Sequence, residues 1–191
     1  MEMQESIFYS DGLKIAGYLY APSDWKEGDP LRPGILVLAG YSGNTQADCT
    51  HMMQQLCEAG WFVFSYDYQG FGKSEGKRNR HRALEQAQNS YDAISYMQKI
   101  PGVDPKRIGL FGTSFGGANG VWVTAHDERI KVLVTSVGVM NGETWMQSIR
   151  RPWEWLEFKK MVIDDAQRRV RTGEPKMVFH GDIMLRDPDS A

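Results

Sequence analysis

Apolar residues in this chain gather in short continuous runs, and between the runs they recur every three or four positions. Ile35-Leu36-Val37-Leu38-Ala39, residues 61–66, 108–111 and 131–137 are too short for helices and lack polar alternation. The first two read as strands buried on both faces, and the other two as further strands. Over 46–59, Met52, Met53, Leu56 and Cys57 share one helical side, and Gly60 supplies a stop signal. Over 81–99, Leu84, Ala87, Tyr91, Ile94 and Met97 form one apolar stripe, and a third helix is predicted over 115–126. Strand and helix therefore alternate from 35 to 137, which predicts an α/β protein with a mostly parallel sheet. Ahead of them, residues 5–10 and 13–20 are β-rich and meet at Asp11-Gly12, a hairpin signal. Leu13, Ile15, Gly17 and Leu19 fall on one face of the second run, and Lys14, Ala16, Tyr18 and Tyr20 on the other, more mixed face. This hairpin is expected to form an antiparallel N-terminal edge, and 21–34, rich in proline and glycine, a loop.

From residue 138 the pattern changes: 153–170 reads as a helix, and Trp145, Trp153 and Trp155 fall in this stretch. We expect residues 1–137 to form the sheet-based core and 138–191 a helical, lid-like segment. Trp145, Trp153, Trp155 and Phe158 either pack that lid or line an apolar pocket. Its basic residues alternate with acids, as on a solvated helix face; a second reading has one arginine binding a substrate carboxylate.

The wider composition narrows the classes. A length of 191 residues suits one domain, and the net charge of -2 gives no reason to expect nucleic acid or an anionic membrane as partner. No apolar run approaches the roughly 20 residues that span a bilayer. The acidic opening Met1-Glu2-Met3-Gln4-Glu5 is unlike a signal peptide, so the expected location is cytoplasmic. Cys49 and Cys57 lie about 12 Å apart along a helix, too far for a bridge. They read as packed thiols, and neither a metal nor a cofactor is expected.

The chemistry centres on Gly112-Thr113-Ser114-Phe115-Gly116, set between a predicted strand and a predicted helix. Gly-x-Ser-x-Gly in that context is a nucleophile elbow: a sharp turn exposes the serine, and its glycines leave room for close backbone approach. Ser114 Oγ would attack a carbonyl carbon, and the resulting oxyanion needs donors already in place. The N–H of Phe115 is one candidate. The N–H of Tyr41, in the loop after the first buried strand, is the other, with its hydroxyl as a further donor. The alternative reading of Tyr41 is a packed loop aromatic.

Together with that elbow, Leu38-Ala39-Gly40-Tyr41, residues 67–74 (Asp67-Tyr68-Gln69-Gly70-Phe71-Gly72-Lys73-Ser74) and 104–109 resemble the α/β-hydrolase superfamily. The nearest likeness is to dienelactone-hydrolase and prolyl-oligopeptidase-like serine hydrolases, over about residues 10–137. The resemblance implies an eight-stranded mostly parallel sheet, a Ser-acid-His triad, and a small-molecule ester, amide or lactone as substrate. The Asp67 loop is expected to be structural.

The chain departs from that pattern after the serine. His126 closes the helix that starts at the elbow, roughly 18 Å from Ser114. His180 follows Lys176-Met177-Val178-Phe179, which resembles the strand before the triad acid, yet no histidine follows Asp182 or Asp187. With His180 as base, Asp164 or Asp165 would have to serve as acid from within a helix. The triad acid and histidine are therefore expected beyond residue 191, in a C-terminally truncated chain. Two readings stay open: a serine hydrolase working through an acyl-enzyme, or a catalytically silent relative. Carbon–carbon cleavage or cyclisation is a narrower variant of the first. A sheet without its last strands would also expose an edge for self-association.

Overall fold

The computed structural model describes residues 3–41, 43–45 and 49–184. These divide into two compact units, Met1–Met140 and Asn141–Ala191. The first unit is built on β1 (Met3–Ser10), β2 (Leu13–Tyr20), β3 (Arg32–Leu38), α1 (Thr50–Glu58), β4 (Phe62–Tyr66), α2 (Ala83–Met97), β5 (Val103–Thr113), α3 (Phe115–His126) and β6 (Ile130–Ser136).

Six strands form one sheet in the order β1-β2-β4-β3-β5-β6. The β1–β2 and β2–β4 pairs are antiparallel, whereas β4–β3, β3–β5 and β5–β6 are parallel. An α/β fold with a mostly parallel sheet and an antiparallel N-terminal hairpin is thus what the hydrophobic pattern predicts. Asp11 and Gly12, at φ 47° and 78°, make the hairpin turn, and Gly12 adopts that left-handed conformation without a Cβ penalty.

Three of the apolar runs supply the core, with Leu36, Val37, Val63, Phe64 and Ile108 all shielded from water, whereas the run over 131–137 forms the edge strand β6 and leaves Val132 and Val134 exposed. Where boundaries differ, the cause is local. β3 begins at Arg32 because its N–H donates to Gly102 O at 2.8 Å, recruiting part of the expected loop. β5 is longer than its apolar run and takes in half-buried Asp104 and exposed Pro105, Lys106 and Arg107, which carry no hydrophobic signal. The predicted stripe on α2 holds at Ala87, Ile94 and Met97, which are buried, but Leu84 is 69% exposed in the first turn. On the mixed face of β2, Tyr18 and Tyr20 are buried while Lys14 is exposed; the Tyr18 hydroxyl is satisfied by the Asp67 carboxylate.

The second unit contains α4 (Gly142–Ser148), α5 (Pro152–Thr172) and a one-turn α6 (His180–Ile183). α5 starts at Pro152 and stops at Gly173, which is left-handed at φ 76°, the expected punctuation of a helix. The strand resemblance over 176–179 is not realised: those residues are irregular, and His180 opens α6. A strand needs neighbours for its backbone groups, and none pairs with this segment among the described residues. The basic residues of α5 pair locally, as Lys160–Asp164 and Arg169–Asp165. Phe158 stacks on Trp155 and lies under the Arg150 guanidinium at 3.8 Å. Cys49 and Cys57 are buried, and burial pushes the Cys57 thiol up to about 11.

Candidate functional site

Because β4, β3 and β5 are parallel neighbours, the loops that follow them emerge at one edge of the sheet. Those loops carry Asp67, Tyr41 and Ser114.

Ser114 stands alone between the last residue of β5 and the first of α3. Its backbone sits at φ 52°, ψ −117°, a conformation that costs an L-residue about 1–3 kcal/mol and persists only when its surroundings enforce it. The enforcement is visible. Ser114 N–H donates to Ser136 O at 2.9 Å, and Ser114 O accepts from Gly117 N–H at 3.0 Å and Val139 N–H at 3.2 Å. The two motif glycines allow the turn to close. A Cβ on Gly112 would lie 2.6 Å from the Gly116 carbonyl carbon, and one on Gly116 would lie 2.7 Å from that of Leu38. The first turn of α3 therefore rests on the end of β3, beside the loop bearing Tyr41. The N–H of Phe115 is the first of the α3 donors that helix geometry leaves without an intrahelical acceptor, at the positive end of the helix dipole.

The Tyr41 loop is fixed from below. Gly43 N–H donates to Gly40 O, and Gly43 O accepts from Tyr68 N–H at 3.2 Å. Thr45 N–H donates to Asp67 Oδ1 at 3.0 Å. Asp67 itself is 1% exposed, and its Oδ2 accepts from Tyr18 OH at 2.7 Å and from Lys73 N–H at 3.0 Å. One carboxylate thus joins the hairpin, the Tyr41 loop and its own loop. The structural expectation for the Asp67 loop fits this network. Burial, followed by the Asp67 hydrogen bond, drives the Tyr18 phenol well above its ordinary range. Burial also raises the Tyr41 phenol.

One residue near these loops carries no sequence signal at all. His81, just ahead of α2, stacks on Tyr41 with ring centroids 4.2 Å apart and planes 12° apart. It also meets Phe71 at 4.4 Å and Phe115 edge-on at 5.2 Å. Its neighbours are 40, 10 and 34 positions away, which no local motif or periodicity records.

The remaining candidates have partners of their own or belong to the second unit. His126 lies at the far end of α3, where its Nδ1–H donates to Trp122 O and its ring stacks on Trp122. Asp165 accepts from Lys176 N–H at 2.7 Å, and Asp182 accepts from Phe179 N–H as the cap of α6. His180, Asp164, Trp145, Trp153 and Trp155 all belong to the second unit. Asp187 lies outside the described residues. Among the described residues, no imidazole or carboxylate is hydrogen-bonded to Ser114, no group of three or more His, Cys, Asp or Glu could hold a metal ion, and no helix is long and apolar enough to cross a membrane.

Known proteins resemble this chain in sequence and in fold. The family model for X-Pro dipeptidyl-peptidase (S15 family) matches residues 11–176. A polyketide transferase from a Penicillium species is 30% identical over 166 residues, covering 86% of this chain and 52% of that protein. A thiohydrolase from Arthrinium phaeospermum is likewise 30% identical over 166 residues, covering 86% and 51%. The crystal structure of the α/β hydrolase GrgF from Penicillium sp. sh18 superposes with a TM-score of 0.76 at 23% identity, covering 100% of this chain and 61% of that one. The chain spans about half the length of the curated relatives it matches. With its sheet order, its strained serine turn and a family match over most of its length, the chain belongs to the X-Pro dipeptidyl-peptidase (S15) family of the α/β-hydrolase superfamily.

Proposed function

We propose that the chain carries the nucleophile and oxyanion hole of a serine hydrolase acting on an ester, lactone or amide carbonyl through an acyl-enzyme. The observation that carries this reading is the backbone of Ser114, held at φ 52°, ψ −117° between β5 and α3. A strained serine at a helix N-terminus presents Oγ to substrate while the same turn presents donor N–H groups. In this mechanism Ser114 Oγ attacks the carbonyl carbon, and the Phe115 and Tyr41 N–H groups take the developing negative charge. Collapse of the tetrahedral intermediate expels the alcohol or amine and leaves Ser114 acylated, and water then releases the acid.

Both proton transfers need a base with an acid behind it, which this reading assigns to sequence beyond residue 191. The match to about half of each relative supports that assignment. A thiohydrolase and a polyketide transferase among the relatives extend the candidate substrates to thioesters and the acceptors beyond water. A cytoplasmic location remains part of the proposal.

A fluorophosphonate probe is expected to label the whole protein and to fail on Ser114→Ala. Equal labelling of both would remove Ser114 from the mechanism. A catalytically silent chain is the second reading, favoured by the lack of any imidazole or carboxylate hydrogen-bonded to Ser114 among the described residues. Ester turnover by the 191-residue chain, abolished by Ser114→Ala, would exclude it.

A further inference from the structure

The three loops at the sheet's carboxyl edge each send one aromatic ring toward the same point. Tyr41 comes from the loop after β3, Phe71 from the loop after β4, and Phe115 from the turn after β5. At that point sits His81, ten residues after Phe71 near the end of the same loop, and it touches all three rings. Its ring is held in turn: Nδ1 lies 3.1 Å from the Nε2 amide of Gln86, a side chain fully buried on α2. A fourth element, the start of α2, thereby anchors the imidazole among the other three.

Two of those rings belong to the residues whose N–H groups form the oxyanion hole in the reading above. An oxyanion hole works only when its donors are fixed in advance, about 3 Å from where the negative charge develops. Phe115 is positioned by α3, whose first turn is anchored on β3. Tyr41 lies in an irregular loop, so the separation between its N–H and that of Phe115 depends on what ties the loop to the elbow. The Asp67 bond acts four residues further on, at Thr45. His81 acts at Tyr41 itself: one face stacks on the Tyr41 ring, and the Phe115 ring meets the imidazole at an interplanar angle of 77°.

We propose that His81 is a positioning residue, a flat spacer that sets the distance between the Tyr41 and Phe115 donors and exchanges no proton with the substrate. The inference rests on the serine-hydrolase reading and deepens it. It makes planarity, not basicity, the property that matters at position 81. A phenyl ring keeps both ring contacts, whereas a methyl or a branched aliphatic side chain keeps neither geometry.

The test is the inactivation rate of the whole protein by a fluorophosphonate probe, resolved into its maximal rate and its half-saturating concentration. His81→Ala and His81→Leu are expected to lower the maximal rate about 10- to 100-fold, the size of effect a displaced oxyanion donor produces. The half-saturating concentration should stay within about twofold, because a hole that forms around the transition state contributes little to ground-state binding. His81→Phe should recover to within about threefold of the unsubstituted protein, since it restores the ring contacts. A purely structural role would lower the folded fraction and leave the rate per folded molecule unchanged, so the rates are normalised to the folded fraction. Should His81→Ala not fold, Tyr41→Leu removes the same stack from the other side and should show the same loss.

Labelling of His81→Ala or His81→Leu at the unsubstituted rate would overturn the proposal while leaving Ser114 as nucleophile. His81→Phe as slow as His81→Ala would overturn planarity as the property that matters and assign the effect to the imidazole nitrogens, through the Gln86 hydrogen bond or proton transfer. No labelling of the unsubstituted protein would overturn the serine-hydrolase reading and this inference with it.

Discussion

The two sides of Ser114 differ in how completely they are built. On one side, Tyr41, Phe115 and His81 interlock, and the loops beneath them converge on the buried Asp67 carboxylate. On the other, β6 forms the edge of the six-stranded sheet, with Val132 53% and Val134 51% exposed. No acid or base among the described residues is hydrogen-bonded to the serine. The difference follows from where each half of such chemistry is encoded. Oxyanion stabilisation draws on backbone N–H groups that a turn and a helix start supply locally. Proton transfer draws on side chains that the fold must bring from distant strands.

The largest effect is therefore expected at the local half. Gly116→Ala places a methyl group against the Leu38 and Ala39 carbonyls, both backbone and unable to swing aside. The elbow and the end of β3 must separate, and a displacement near 1 Å costs roughly 100-fold in rate. Fluorophosphonate labelling of Gly116→Ala should fall by at least that factor. Retention of the unsubstituted rate would show that the close approach is not needed.

Next comes the clamp beneath the loops. Asp67→Asn keeps the shape but replaces an acceptor-only carboxylate with an amide whose NH2 faces donors. Three hydrogen bonds are affected, from Tyr18, Thr45 and Lys73. Bonds to a charged group are worth about 1.5–3 kcal/mol each, and with partial relaxation we expect a total loss of about 2–4 kcal/mol in urea unfolding. An unchanged unfolding midpoint would mean that the loops hold each other without the carboxylate.

The same clamp predicts a pH dependence. Burial and Asp67 raise the folded-state pKa of Tyr18 above its ordinary value of 10.0. Its contribution is then full below pH 10 and is lost as pH rises from there toward the folded-state value. Tyr66 and Tyr68, raised in the same direction by burial, add to the alkaline loss. Melting temperatures from pH 8 to 11 should therefore decline above about pH 10, and Tyr18→Phe should make that decline shallower. Parallel curves would place the alkaline transition on the other tyrosines.

How legible this was depends on sequence range. The elbow, the buried strands and the hairpin turn are written in runs of two to eight residues, where burial and φ preferences act on neighbours. The same holds for the α3 start at Phe115. His81 is not legible, because its significance is a stack across 40 positions on Tyr41, and its neighbours Arg80 and Arg82 give an ordinary polar loop. The 176–179 segment misleads for the opposite reason. Val178 and Phe179 have the local composition of a strand, but a strand exists only where another supplies hydrogen bonds.

The smallest effect is expected at β6, and it bears most directly on the difference between the two sides. Val132 and Val134 point to one face of the strand and remain half exposed, so replacing them removes little packing. Val132→Lys should change the stability of the 191-residue chain by less than about 0.5 kcal/mol, as at other surface positions. A lysine on an apolar edge opposes pairing with another strand, so concentration-dependent association of this chain should fall. The same substitution in a protein that carries further strands beside β6 would bury the charge and cost several times more. Comparing the two backgrounds by urea unfolding separates an edge that faces solvent from one that the rest of a sheet covers. Equal, small effects in both would mean that the acid and base reach Ser114 by some route other than strands laid against β6.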